Sequence, residues 1–147
     1  MTQAISTTST GAQLGATLAR LTLGSLLLSH GLLKVNVFTI AGTVAYFESL
    51  GLPPIAAHLI IFGEIAGGLG LILGVFTRLA AVLSLPILLG ALWAHSGNGW
   101  VFSNAGGGWE FPAFLVATAV VVALQGAGAF ALGNVLPAYA RVPAAIR

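Results

Sequence analysis

Charged residues are scarce in this chain, and cysteine and aspartate are absent. It has five basic and three acidic residues in 147, whereas about a quarter of an ordinary soluble domain is charged. The lack of cysteine excludes disulfides, thiol redox centres and Cys-ligated zinc or iron–sulfur sites. The basic residues do not cluster, which excludes a nucleic-acid-binding surface. An electron-transfer role would therefore need an organic cofactor or a haem held by histidine.

Long apolar runs take the place of the missing charges. The mean hydropathy is +1.04, and about 20 apolar residues are enough to cross a bilayer as a helix. Four runs reach that length, which predicts an all-α membrane protein with four transmembrane helices packed as a bundle. The predicted crossings are residues 14–33, 55–76, 77–95 and 111–132.

The connection between the first and second crossings has its own pattern. Val37, Ile40, Val44, Phe47 and Leu50 recur at steps of three and four residues. This spacing predicts a short amphipathic helix lying along the membrane interface. The expected organisation is a flexible N-terminal tail over residues 1–13, a transmembrane domain over 14–132 and a cytoplasmic C-terminal tail over 133–147.

The few charges also predict an orientation. Four crossings place both termini on one side, together with all four arginines, and positive charge marks the cytoplasmic side. The tryptophans Trp93, Trp100 and Trp109 then belong to the outer interface, where such rings are enriched. The connection over 96–109 is either a flexible loop anchored by these aromatics or a lid over an outward-facing site.

Ionisable side chains within the apolar runs are the candidate functional residues, because they are costly in lipid unless paired or lining a polar cavity. Glu64, near the middle of its helix, needs a cationic partner, such as Arg20, or must act as a proton carrier. The alternatives are interfacial anchoring for Arg20, Lys34 and Arg78, and helix packing for the histidines. The spacing predicts an inner cationic layer formed by Arg20 and Arg78. It also predicts an outer pocket formed by His30, Lys34, Glu64, His95 and Glu110.

A glycine stripe runs along the second crossing beside Glu64. Gly63, Gly67, Gly70 and Gly74 recur at steps of four, three and four, with Gly68 beside them. Such a stripe favours close helix packing; the alternative is that Gly67 and Gly68 leave space for a flat ligand beside Glu64. No metal site is expected, and nothing in the spacing of His30 and His95 demands a haem.

Several of these residues form motifs that resemble the DoxX family of small bacterial integral membrane proteins. The resemblance covers about residues 14 to 132. It rests on Arg20-x3-Gly24, His30-Gly31-x2-Lys34, Gly51-Leu52-Pro53, the run Gly63-Glu64-x2-Gly67-Gly68-x2-Leu71-x2-Gly74-x2-Thr77-Arg78-x-Ala80-Ala81, His95 and Gly108-Trp109-Glu110.

The resemblance implies a four-helix protein of the bacterial cytoplasmic membrane. The family is similar to the large subunit of an archaeal thiosulfate:quinone oxidoreductase, and other members are tied to membrane redox complexes and to oxidative-stress or thiol homeostasis. Any thiol chemistry would belong to a partner, since this chain has no cysteine. The expected partners are the lipid bilayer, other membrane or soluble redox subunits and further copies of the chain.

The leading hypothesis is a quinone-interacting subunit or accessory of a membrane oxidoreductase, and whether the chain itself is an enzyme stays open. A quinone headgroup needs hydrogen-bond donors at its carbonyls and a proton route. The alternatives are a non-catalytic structural or assembly subunit and a small-molecule or proton transporter. The expected catalytic residues are Glu64, His30 and His95, and the expected ligand-binding residues are Arg20, Lys34, Gly67, Gly68, Arg78, Trp109 and Glu110.

Overall fold

A computed structural model of the protein describes residues 9–147, so most of the predicted N-terminal tail lies outside the described residues. Over that range the chain is helical and contains no β-strand. Three short 3-10 helices, Ser96–Asn98, Leu132–Val135 and Pro137–Arg141, accompany the α-helices. The five α-helices are α1 (Thr10–Asn36), α2 (Ile40–Ser49), α3 (Pro54–Leu73), α4 (Thr77–His95) and α5 (Glu110–Gln125).

The apolar runs predicted the first three long helices to within a few residues. Helix α4 has the predicted bounds, whereas α1 begins at Thr10 because the Ser9 hydroxyl accepts a hydrogen bond from the Ala12 N–H at 3.3 Å and so provides an N-cap. Helix α3 stops at Leu73, earlier than expected. Gly74 follows it in the left-handed conformation, with φ of 69°, which glycine adopts without steric cost.

The fourth predicted crossing is shorter than its apolar run. Helix α5 ends at Gln125 and not at Leu132, because Gly126 and Gly128 have φ values of 83° and 67°. A left-handed glycine ends a helix even where the following residues are apolar. The segment that follows packs on the connection between α3 and α4, where the buried Tyr139 accepts a hydrogen bond from the Phe76 N–H.

The long helices form two closely packed pairs, α1 with α3 and α4 with α5. Contacts between α3 and α4 and between α1 and α5 join the pairs, and α2, whose buried residues are Thr43 and Phe47, packs mainly on α3. Val37 and Ile40, two members of the predicted apolar face of α2, are exposed. The core between the four long helices contains Leu23, Leu27, Leu71, Ala81, Leu88, Leu115, Ala119 and Val122.

The outside of this bundle is also apolar. Leu18, Phe62, Leu83 and Leu124 are among many large apolar side chains that point outward, and Phe62 is 72% exposed. Within the part of the chain that the structure describes, three segments are long and apolar enough to span a membrane: Thr10–Asn36, Pro54–Leu73 and Thr77–Asn98. A surface of this kind, on helices of this length, needs lipid and not water around it. The chain is therefore a multi-pass membrane protein.

Backbone contact through glycine characterises the interface of α1 and α3. A β-carbon at Gly68 would lie 2.7 Å from the backbone nitrogen of Leu28 and 2.8 Å from the carbonyl oxygen of Gly24. A β-carbon at Gly24 would be equally close to α3, at 2.9 Å from Cβ of Leu71. At Gly68 the structure thus shows helix packing and leaves no room for a ligand. Nothing lies within 4 Å of the corresponding position at Gly67.

We predict opposite effects for alanine at these two neighbouring glycines. Gly68→Ala should lower the free energy of unfolding by about 1–3 kcal/mol, because the added methyl group meets the backbone of α1. Gly67→Ala adds the same atoms into open space and should raise stability by up to about 1 kcal/mol through helix propensity. Denaturation in mild detergent measures both. Equal stability of the two variants would contradict the close contact of α1 and α3.

Candidate functional site

Glu64 and Lys34 form an ion pair that joins α1 to α3. Lys34 lies in the last turn of α1, and its Nζ donates to Oε1 and Oε2 of Glu64 at 2.7 and 2.8 Å. Both side chains are largely shielded, with exposures of 18% for Lys34 and 7% for Glu64. The cationic partner of Glu64 is therefore Lys34, and the alternative pairing with Arg20 is wrong.

Gly31 explains why the pair can form. It lies nearly one turn before Lys34, and a β-carbon there would be 2.7 Å from Cγ1 of Ile65 and 3.2 Å from Cβ of Glu64. A larger residue would push α3 away and separate the two charges. The Thr43 hydroxyl of α2 contacts the Lys34 carbonyl oxygen at 3.2 Å, so three helices meet at this point.

His30 completes the α1 side of the site. It lies one turn before Lys34 on the same helix. Its Nδ1 is 2.8 Å from the carbonyl oxygen of Leu26. Because a carbonyl only accepts, Nδ1 carries a proton in this contact, so Nε2 is the ring nitrogen available for proton exchange. We call His30, Lys34 and Glu64 the α1–α3 site.

The other members of the expected outer pocket, His95 and Glu110, lie at the two ends of the loop between α4 and α5. Nδ1 of His95 is 3.0 Å from the carbonyl oxygens of both Gly106 and Gly107. Oε1 of Glu110 accepts from the Phe102 N–H at 2.7 Å. Trp109 packs edge to face on Trp100, with ring centroids 4.4 Å apart. These contacts hold the loop in one shape, and the roles of His95, Trp109 and Glu110 in ligand binding or catalysis stay predictions.

The two arginines expected to form a cationic layer each bind a helix end. The Arg20 guanidinium is 1% exposed and donates to the carbonyls of Leu71 and Ile72 at the end of α3, and to Ala127 and Phe130 beyond α5. Arg78 donates to the Ala123 carbonyl at 2.7 Å and to that of Gln125 at 3.4 Å, at the end of α5. Carbonyls at a helix C-terminus lack partners within the helix and favour a nearby cation.

Sequence reasoning did not assign a role to Gly31 or Thr43. Gly31 is part of the motif His30-Gly31-x2-Lys34, and its position nearly one turn from Lys34 is the sequence signal that could have indicated its role. Thr43 offered no signal, because its partner is the backbone of another helix. Within residues 9–147, no cluster of three potential metal-ligating side chains occurs.

The fold and its buried ion pair define a helical membrane protein with a polar site between two helices, and the comparisons identify its family. The DoxX family model matches residues 15–97. The chain belongs to the DoxX family. It is 32% identical over 120 residues to the Bacillus subtilis (strain 168) protein named "Putative oxidoreductase CatD", an alignment that covers 82% of this chain and 85% of that protein. No solved structure matches the chain.

We predict that Arg20 is a stability residue. Arg20→Met should lower the free energy of unfolding by about 3 kcal/mol, because it leaves buried carbonyls at the end of α3 without donors. Arg20→Lys should recover only part of this loss, since an ammonium group cannot reach carbonyls on two segments as the guanidinium fork does. The exposed Arg141 offers the control, and Arg141→Met should be near neutral. Denaturation in detergent that shows Arg20→Met to be as stable as this control would contradict the capping role.

Proposed function

We propose that the protein is a quinone-interacting subunit or accessory of a membrane oxidoreductase, with the headgroup binding at the α1–α3 site. The observation that carries the proposal is the ion pair of Lys34 and Glu64 in an otherwise apolar helix pair. Ionisable groups at such a position are commonly functional, because their burial is costly. The name of the B. subtilis relative supports a redox setting.

The proposed placement has α1, α3, α4 and α5 crossing the bacterial cytoplasmic membrane. Helix α5 has 16 residues, or about 24 Å at the usual helical rise, and the segment after it would complete the crossing. Both termini and all four arginines then lie at the cytoplasmic side, as the positive-inside rule favours. Helix α2 lies along the outer interface, where its exposed Ile40 and the preceding Val37 contact lipid.

The residues of the α1–α3 site fit a quinone chemically. Lys34 has three N–H donors. Within residues 9–147, Nζ donates to two acceptor atoms, both on Glu64. One donor is therefore left for a ligand carbonyl. The open position at Gly67, nearly one turn along α3 from Glu64, leaves space on the same helix. A bound quinone would supply the two-electron, two-proton chemistry that no side chain of this chain offers.

The side chains of the site would move protons and balance charge. Nε2 of His30 would exchange a proton with the ligand, because Nδ1 donates its own proton to the Leu26 carbonyl. The charge of Lys34 would stabilise negative charge that develops on the ligand, while Glu64 holds Lys34 in place. His30 would thus act as the acid–base group, and Glu64 as a positioning residue and proton relay.

A structural role is the second candidate, and the geometry of the same pair favours it. Lys34 and Glu64 join two helices whose glycine contacts require a fixed register. On this hypothesis the site binds no ligand, and the protein serves as a non-catalytic or assembly subunit of a membrane complex.

We predict that replacing the whole pair separates these two functions. Lys34→Met combined with Glu64→Leu removes both charges at similar volume, which commonly leaves stability unchanged or higher. The double variant should remain folded and lose copurified quinone, whereas wild type should retain nearly one quinone per chain. Organic extraction of protein purified in mild detergent, followed by chromatography, measures the bound quinone. Glu48→Gln, which removes a charge from the exposed side of α2, is the control and should retain quinone.

Two results would contradict the proposal. Background quinone in the wild type would exclude a tight quinone site. Equal quinone in the wild type and the folded double variant would place any quinone elsewhere. A single Glu64→Gln change should also lose quinone, and it should lower stability as well because it leaves Lys34 without a counter-charge.

A further inference from the structure

A groove at the junction of the α4–α5 loop and α5 combines aromatic rings with a carboxylate. Its volume is about 470 Å³, within the range of small-molecule sites, and none of its lining residues belongs to the α1–α3 site. Four of its six lining residues are aromatic and one is acidic: Trp100, Phe102, Glu110, Phe111, Ala113 and Phe114.

The groove is a formed feature, because backbone hydrogen bonds fix the loop against α5. The N–H groups of Trp109 and Glu110 donate to the carbonyls of Gly99 and Trp100 at 3.1 and 3.0 Å. Gly108 permits this approach, since a β-carbon there would lie 2.2 Å from the Val101 carbonyl oxygen. Trp100 and Phe102 are therefore held beside the rings of α5.

The charge of Glu110 indicates which ligand suits the groove. Oε1 accepts a hydrogen bond from one backbone N–H. Within residues 9–147, Lys34 and Glu64 form the only ion pair. The carboxylate of Glu110 thus has no cationic partner in the described part of the chain. A purely apolar ligand would cover this charge without compensating it, which is unfavourable.

The aromatic composition points to an organic cation in particular. Three of the four rings are phenylalanines, which lack the polar group that anchors Trp and Tyr at membrane interfaces. Aromatic faces attract alkylammonium groups, and cages of such rings are a known way to bind them. A divalent metal would need several oxygen ligands, whereas a single carboxylate lines this groove.

We propose that this groove binds an alkylammonium cation, with Glu110 opposing its charge and the rings contacting its alkyl groups. The same chemistry is offered by a free amine and by the ammonium headgroup of a phospholipid. Phe114, which lines the groove, is exposed on the outside of the bundle, so both sources can reach the groove.

We predict saturable binding of choline, detected through a change in intrinsic tryptophan fluorescence, to which Trp100 contributes, in detergent-solubilised protein. The neutral carbon analogue of choline, titrated at equal ionic strength, should bind much more weakly. Glu110→Gln keeps an oxygen for the Phe102 N–H but removes the charge, and should weaken choline binding about five-fold or more. Phe114→Leu should weaken it in the same direction by removing one ring.

Matched variants outside the groove provide the controls. Glu48→Gln removes a charge from α2, and Phe62→Leu removes an exposed ring from α3; neither should change choline affinity. The proposal is overturned if the neutral analogue binds as well as choline, if Glu110→Gln binds like wild type, or if no saturable response occurs.

Nanodiscs distinguish the two sources of the ammonium group. The choline titration is repeated in discs of phosphatidylglycerol alone and in discs that contain phosphatidylethanolamine. Weaker apparent choline affinity in the second identifies a lipid headgroup as the competing occupant, and equal affinity in both identifies a soluble amine. Absence of binding in phosphatidylglycerol discs would overturn the site.

Discussion

A carboxylate placed within an apolar helix must have a counter-charge, and the pairing of Glu64 with Lys34 meets that need across two helices. The pair forms only if α1 and α3 are antiparallel, in one register and nearly in backbone contact. Gly24, Gly31 and Gly68 permit this approach along the whole interface. Packing and polar chemistry therefore depend on the same geometry, because any residue that separates the helices also separates the charges.

The cations of the bundle divide into two roles according to their position. Arg20 and Arg78 bind carbonyls at the ends of α3 and α5, where they stabilise helix termini. Lys34 lies in the last turn of α1 and binds a side chain instead of backbone. The first role orders the segment that follows α5 as well, since Arg20 also binds Ala127. Only Lys34 leaves an N–H donor near a group that can exchange a proton, the ring of His30.

Hydropathy predicted α1, α3 and α4 because a helix in lipid needs a long apolar run. It misplaced the end of α5, because residues 126–132 are apolar although Gly126 and Gly128 leave the helical conformation. The members of the site were recognisable as ionisable residues in apolar segments, but their partners were not. Arg20 and Lys34 share a face of α1, and which of them reaches Glu64 depends on the register of α3. The contacts of His95 and Glu110 with the loop between α4 and α5 likewise depend on how the loop folds, so the sequence pattern does not predict them.

The central claim is that Lys34 and Glu64 are directly paired within the membrane, and the composition allows a direct test. The chain contains a single lysine and three glutamates. We would label lysine with a spin-active nitrogen at Nζ and glutamate with a spin-active carbon at Cδ. Solid-state NMR in bilayers then measures the dipolar coupling between these two atoms. We predict strong dephasing, consistent with N–O distances of 2.7 and 2.8 Å, that disappears in Glu64→Leu. No dephasing in the wild type, or dephasing that persists in that variant, would contradict the account.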